Sequence, residues 1–333
     1  MLTFQEKGDI TMNITAKSPL NEALDKAQEI LNSYQENPQK IADFLAFRAK
    51  HNLYDYSVRN TMLIESQNSG ALLVGSFQKW KELGCSVMKG QKGMKILVPA
   101  KLTLFRPIGS NKYKKLSQAT KGEKALIQSG QLPTVTKKTF VIGHVFDIAQ
   151  TNFPKERYPE LVSMGIPSEK HAQAYNALKD YLQERGISVQ ERDLASAGLR
   201  GLYYDEGHEI AINHLLNDTE KLSTLCHEAG HAIYGHNRIR ESLPESVCEC
   251  QADAFAICLE SHLGFGLTDS RKSHFKSHFD ACRNVPNFTA ESLLKNVSDK
   301  FSEHWPQMEQ HLAPILGIQQ EATVHTEITP QLM

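Results

Sequence analysis

Apolar residues recur at helical spacing over most of the chain. Behind Ser18-Pro19, the positions Leu20, Ala23, Leu24, Ala27, Ile30 and Leu31 repeat every three to four residues and predict a helix over 19–33. Ile41, Phe44, Leu45 and Phe47 predict a second over 38–48, and Val58, Met62 and Ile64 a third over 57–67. Then the texture changes. Gly75, Gly84, Gly90 and Gly93 punctuate short segments, and the β-branched and aromatic runs 95–105 and 138–148 read as strands. The polar, lysine-rich stretch 106–137 between them reads as a long loop or hairpin insertion. Beyond three prolines (Pro154, Pro159, Pro167), helical spacing returns over 171–185 and stops at Gly186. A short strand is expected at 187–189, and a hairpin of 201–204 with 209–213 around Asp205-Glu206-Gly207. Helices over 219–234, 244–262, 269–281 and 290–312 complete the pattern.

This order predicts an α+β fold in two domains. A loose N-terminal extension (1–18) precedes an α+β domain over 19–152. A linker (153–167) leads to a mostly helical domain with a small sheet over 168–318, and 319–333 reads as a tail. The length of 333 residues suits two domains of ordinary size. With 40% hydrophobic and 23% charged residues the chain is not wholly disordered. No apolar run is long enough for a transmembrane helix, so no membrane partner is expected. The first residues lack the apolar core of a secretory signal. Six scattered cysteines fit reduced thiols, and so a cytoplasmic protein, better than a disulfide framework.

The net charge of −1 conceals a division. Residues 1–150 hold 21 Lys and Arg against 12 Asp and Glu, while 151–333 hold 16 against 26. Between Lys79 and Lys138 there are 14 basic residues and two acids, Glu82 and Glu123. Two modules with different partners follow from that contrast, although a lysine-rich solvated face gives the same count.

The sharpest chemical signal is His227-Glu228-Ala229-Gly230-His231 within the helix expected over 219–234. Two histidines at i and i+4 share one helical face and can hold one ion. Glu228 falls beside that ion, where a carboxylate can act as base toward a water the ion activates. Leu215, Leu216, Leu222 and Leu225 supply a buried side for the helix. A catalytic zinc takes three protein ligands. His236 follows His231 by five residues, whereas the metzincin spacing requires six, so it is set aside. Glu249 is the favoured third ligand, with Asp253 one turn on to hydrogen-bond a ligand histidine, as in gluzincins; Glu245 is the fallback. Cys248 and Cys250 flank Glu249, but a lone C-x-C fits packing thiols better than a structural zinc site. One Zn2+ per chain and hydrolysis of a peptide bond are expected, with the protein substrate unidentified; another divalent metal or another amide substrate suits the same residues.

In the first half, Phe77, Trp80 and Phe105 alternate with Lys79, Lys81, Lys89, Lys92, Lys95 and Lys101. That mixture fits single-stranded nucleic acid, with bases stacked on rings and lysines following phosphates; the same rings fit a core. The motifs Tyr56-Ser57-x-x-Asn60, Gln78-Lys79-Trp80-x-x-Leu83-Gly84, Val87-x-Lys89-Gly90-x-Lys92-Gly93 and Val145-Phe146-Asp147-x-x-Gln150-Thr151 occur in that order. Together they resemble the N-terminal domain of ArdC-type antirestriction proteins over about residues 20–152. The second half, through Thr224-Leu225-Cys226 before the HExxH motif and Glu249-x-x-Ala252-Asp253-x-Phe255-Ala256, is similar both to ArdC and to ImmA/IrrE-type peptidases. The resemblance implies a single-stranded-DNA-binding domain followed by a zincin-like metallopeptidase domain, carried by mobile elements to protect incoming DNA. DNA contacts are expected at Tyr56, Arg59, Asn60, Lys79, Trp80, Lys89, Lys92 and Lys95. The resemblance also implies metal ligands His227, His231 and Glu249 with Glu228 as the catalytic base. Two alternatives stay open: a DNA-binding accessory protein with a non-catalytic zincin scaffold, and a regulatory peptidase that cleaves a repressor.

Overall fold

A computed structural model describes residues 18–161, 165–194, 198–204, 206–236 and 243–317. The expected tail at 319–333 and nearly all of the expected extension lie outside them. The helices are α1 (Pro19–Glu36), α2 (Gln39–Lys50), α3 (Val58–Gln67), α4 (Phe77–Glu82), α5 (Lys121–Gln128), α6 (His171–Gln183), α7 (Asp218–Tyr234), α8 (Glu245–His262), α9 (Asp269–Ala281) and α10 (Ala290–Leu316). The strands are β1 (Val74–Gly75), β2 (Met94–Phe105), β3 (Lys114–Lys115), β4 (Thr134–Asp147), β5 (Ser188–Arg192), β6 (Gly201–Tyr204) and β7 (Glu209–Asn213). The α+β class expected from the sequence holds.

Helix starts follow side-chain chemistry. Ser57, Ser76, Thr120, Asn217, Thr268 and Thr289 each accept a hydrogen bond from a first-turn backbone N–H of α3, α4, α5, α7, α9 and α10. Two helices were not foreseen. α4 is too short to show a period, and α5 lies in the stretch expected as a loop or insertion, with Thr120 and Glu123 forming a reciprocal capping box.

By packing, the chain divides into two compact units, one of Lys95–Gly143 with the described residues up to Lys26, the other of Ala27–Met94 with the described residues from His144 onward. This division follows the long strands β2 and β4 rather than a boundary near residue 152. The smaller unit has its own cluster of Phe105, Ala119 and Leu132. Much of β2 and β4 is exposed, including Val98, Val135, Phe140 and Val141.

In the larger unit one core runs through α2, α6, α7, α8 and α10. A second cluster gathers Trp80, Phe146, Ile148 and Phe153, the last from the segment expected as a linker. The sheet β5-β7-β6 pairs β5 parallel and β6 antiparallel to β7. α8 is buried along most of its length. α7 meets it at Gly230, where a Cβ would stand 2.9 Å from the Cα of Ala252. That glycine lets the helix bearing His227 and His231 approach the helix bearing Glu249.

Candidate metal centre and basic surface

α7 carries His227, Glu228 and His231 on consecutive turns, its N-terminus fixed by the Asn217–Glu220 capping box and its C-terminus by Gly235 at φ 63°. Leu222 and Leu225 are fully buried beneath it, as the sequence predicts. Leu215 is not, at 69% exposed. It precedes the cap residue Asn217, so the helical phase that buries the other leucines does not extend to it.

The Nε2 atoms of His227 and His231 lie 3.1 Å apart. Glu249 reaches both rings, Oε2 at 3.4 Å from His227 Nε2 and Oε1 at 3.5 Å from His231 Nε2. Donors at the corners of a tetrahedron about an ion, with bonds of ~2.0–2.1 Å, stand about 3.3 Å apart. Spacing and donor chemistry thus fit one divalent ion, held by His227, His231 and Glu249. Glu245, exposed at the start of α8, is outside that donor group. The six cysteines are free thiols, five of them buried, and none joins a metal-holding group among the described residues.

Electrostatics follow from that crowding. Burial alone would lower the His227 pKa, but the carboxylates of Asp253, Glu249 and Glu228 push it up to about 10. Burial would raise Glu249, yet its hydrogen bonds to His227 and His231 hold it well below the usual carboxylate range. Glu228 is the exception. Burial raises its pKa, and the attraction of His227 and His231 offsets this only in part. A carboxylate so placed holds a proton more readily than one in water. Its neighbours are close: a Cβ on Gly201 of β6 would stand 3.1 Å from Glu228 Oε1, and the Tyr203 backbone N–H bonds to it.

Both ligand rings are held from behind. Asp253 is fully buried, its Oδ1 3.8 Å from His227 Nδ1, and it is also bound by Arg271 and, at 3.4 Å, by His274. Arg271 in turn pairs with Glu260 at 3.2 Å. Behind His231 lies His236, with Nδ1 2.9 Å from His231 Nδ1 and Nε2 3.1 Å from Gln251 Oε1. Burial and the nearby His231 push the His236 pKa down to about 4, so its ring is neutral near pH 7. With Gln251 Oε1 accepting from His236 Nε2–H, His236 Nδ1 accepts from His231 Nδ1–H. That tautomer leaves the His231 Nε2 lone pair for the ion. The spacing of His236 from His231 excludes it as a metzincin-type ligand but does not reveal that Gly235 folds it back behind the ring.

The expected DNA residues separate into two groups. Trp80 is fully buried and its Nε1–H donates to the Phe146 carbonyl at 3.1 Å, so it is a core residue and no base can stack on it. Asn60 is buried, and Tyr56 donates its hydroxyl to the Val74 carbonyl at 3.2 Å. Arg59 pairs with Glu291 at 2.9 Å, and Lys79 lies 3.8 Å from Asp55. Phe105 is fully buried, whereas Phe77 is 60% exposed with its ring 4.4 Å from that of Phe146. Lys89, Lys92 and Lys95 are exposed. The loop of the first two is braced by Gln150, whose Nε2 donates to the Lys92 carbonyl at 2.9 Å. Asp147 accepts from the backbone N–H groups of Leu72 and Leu73. Several motif residues therefore build the loop that displays the lysines. Ile108, Tyr113, Phe140 and Val141 are exposed in the smaller unit and were not foreseen, because Lys137-Lys138-Thr139-Phe140-Val141 lacks the alternation that marks outward positions.

Residues 20–139 match the family described as the N-terminal domain of anti-restriction factor ArdC, and residues 182–260 match the IrrE N-terminal-like domain of peptidase family M78. The resemblance read from the sequence holds in both halves. An uncharacterized protein of Bacillus anthracis is 22% identical over an alignment of 314 positions that covers 86% of this chain. The chain spans about half (52%) of the length of that curated relative. Two crystal structures of the antirestriction protein ArdC from the R388 plasmid are also similar. The metal-free one has 16% identity and a TM-score of 0.41, covering 85% of this chain and 98% of that one. The Mn(II)-bound one has 15% identity and a TM-score of 0.38, covering 83% and 97%. Among the described residues no helix is long and apolar enough to cross a membrane.

Proposed function

We propose that the chain is a zinc-dependent metallopeptidase joined to a single-stranded-DNA-binding module, working as an antirestriction-type protein in the cytoplasm. The observation that carries the peptidase half is the set of three donors, His227, His231 and Glu249, spaced 3.1 to 3.5 Å apart beside the buried Glu228. A zinc ion in that set supplies Lewis acidity toward a carbonyl and lowers the pKa of a water. Glu228 takes the proton of the attacking water and delivers it to the leaving amine, a task suited to a carboxylate whose pKa burial raises. Asp253 and His236 hold the two ligand rings in the tautomers that present Nε2. The DNA half, functionally residues 19–152, draws support from the match to the ArdC N-terminal domain and from the exposed Lys89, Lys92 and Lys95. The peptidase module is 168–318, and its natural substrate is a protein.

Elemental analysis, hydrolysis of a denatured protein such as casein, and single-stranded-DNA binding test the reading together. Wild type is expected to hold one zinc and to cleave. Glu249→Ala is expected to lose the zinc and the cleavage while binding DNA as before. Glu228→Gln is expected to keep the zinc and lose at least about a hundredfold in rate, the usual size of a general-base effect. Should Glu228→Gln still protect incoming DNA fully, the fold serves as a scaffold and the peptidase is not the active principle.

A further inference from the structure

On α9, His274 and His278 stand one turn apart, and their Nε2 atoms lie 3.4 Å from each other. This nearly repeats the pose of the first pair. The rings of His227 and His231 have centroids 4.9 Å apart at 70°, and those of His274 and His278 have centroids 4.5 Å apart at 73°. The backing group is shared. Asp253 turns Oδ1 toward His227 Nδ1 at 3.8 Å and Oδ2 toward His274 Nδ1 at 3.4 Å. A carboxylate that accepts the Nδ1–H of a histidine leaves the Nε2 lone pair for an ion and raises its donor strength. One ligand atom from each of Asp253, His274 and His278 lies within 4.8 Å of the others.

We propose that His274 and His278, with Asp253 behind His274, form a second divalent-cation site beside the first. It rests on its own pair of histidines and not on the peptidase reading. The charges around it permit a cation. Asp253, Glu260 and Arg271 form one connected group, two carboxylates to one guanidinium. Lys272 is paired with Asp43 and Lys276 with Asp280. His274 is exposed and His278 half-buried, so an ion enters from solvent. Two imidazoles select a borderline ion such as Zn2+, Ni2+ or Cu2+ over Mg2+ or Ca2+, which take oxygen ligands. With two protein ligands against three, the second site is the weaker.

Titration of the metal-free full chain with Zn2+ against a chromophoric chelator tests this, with Cu2+ electron paramagnetic resonance to count nitrogen ligands. Wild type is expected to take up one tight and one weaker equivalent. The double variant His274→Ala/His278→Ala is expected to keep the tight equivalent and lose the weaker, and His278→Gln alone to weaken it at least tenfold. Glu249→Ala is expected to lose the tight equivalent and keep the weaker, whose Cu2+ signal shows two nitrogens. A wild type that takes up the tight equivalent and no weaker one overturns the proposal, as does a double variant that still binds two. A wild type lacking only the tight equivalent overturns the peptidase reading instead. A double variant that loses cleavage while binding Zn2+ like wild type assigns the two histidines to substrate and not to metal.

Discussion

His231 has two ring nitrogens, and only one can face an ion. The chain of contacts from Gln251 Oε1 through His236 to His231 Nδ1 decides which. A neutral His236 can accept from His231 only if its own proton sits on Nε2, and Gln251 holds that proton there. Replacing the ring with a hydrocarbon one removes the acceptor while keeping the stack on Tyr234, whose ring lies 5.0 Å away at 11°. His236→Phe is therefore expected to weaken metal binding about 10- to 100-fold, the usual cost of a lost outer partner. Gln251→Ala should weaken it less, in the same direction. Competition with a chelator measures both, and unchanged affinity in His236→Phe would mean that the His231 tautomer does not depend on this chain. That His227, His231 and Glu249 come together was legible, because HExxH and a Glu one helix later are patterns of spacing. His236 as a positioning group was not, since its role depends on a left-handed turn at Gly235 that reverses the chain. Trp80 failed for a different reason: its sequence neighbours are lysines, but its indole points inward onto Phe146.

α8 is the element on which the larger unit is built, and its C-terminal end carries an unusual burden. His262 is buried there among Tyr54, Phe301 and Trp305, the last stacked at 3.8 Å and 14°, and its Nε2 has no hydrogen-bond partner among the described residues. Burial pushes its pKa down to about 3. In the unfolded chain it returns to about 6.5. The unfolded state therefore binds the proton first, and the stability present above pH 6.5 is lost as pH falls toward 3. His236, pushed down to about 4, acts in the same direction. His262→Phe keeps the stack and removes the titration. At pH 4.5 the wild type should have lost roughly 2–3 kcal/mol, relative to pH 7, that this variant does not lose. Denaturant unfolding at the two pH values measures it, and parallel losses in both proteins would place the acid sensitivity elsewhere. Most helices of this unit were legible because their apolar period is regular, and α3, α7, α9 and α10 also start on Ser, Thr or Asn caps. In the smaller unit α5 was not: only Ala125, Leu126 and Ile127 are apolar in it, Gly122 weakens it, and its stability begins with the Thr120–Glu123 box.

For the whole molecule the governing quantity is the division of charge, 21 basic against 12 acidic residues before position 151 and 16 against 26 after it. The near-zero total predicts no general attraction to nucleic acid, so any affinity must come from a local arrangement of cations. On the proposed reading Lys89, Lys92 and Lys95 supply it: they are exposed, and the loop of the first two is braced by Gln150. Each phosphate neutralised on a single strand contributes about 0.7 to the slope of log affinity against log salt. Changing all three lysines to glutamine should lower binding of a single-stranded oligonucleotide and flatten that slope by about 2, with fold and metal content unchanged. Glutamine keeps the length and polarity of the side chains, so loss of affinity with a flattened slope reports phosphate contacts. Loss with an unchanged slope would point to the exposed rings, Phe77 among them, as the source of affinity, through stacking that salt does not screen. Unchanged affinity and slope would move the DNA surface away from these lysines to other parts of the smaller unit, where further basic residues and exposed Tyr113, Phe140 and Val141 occur.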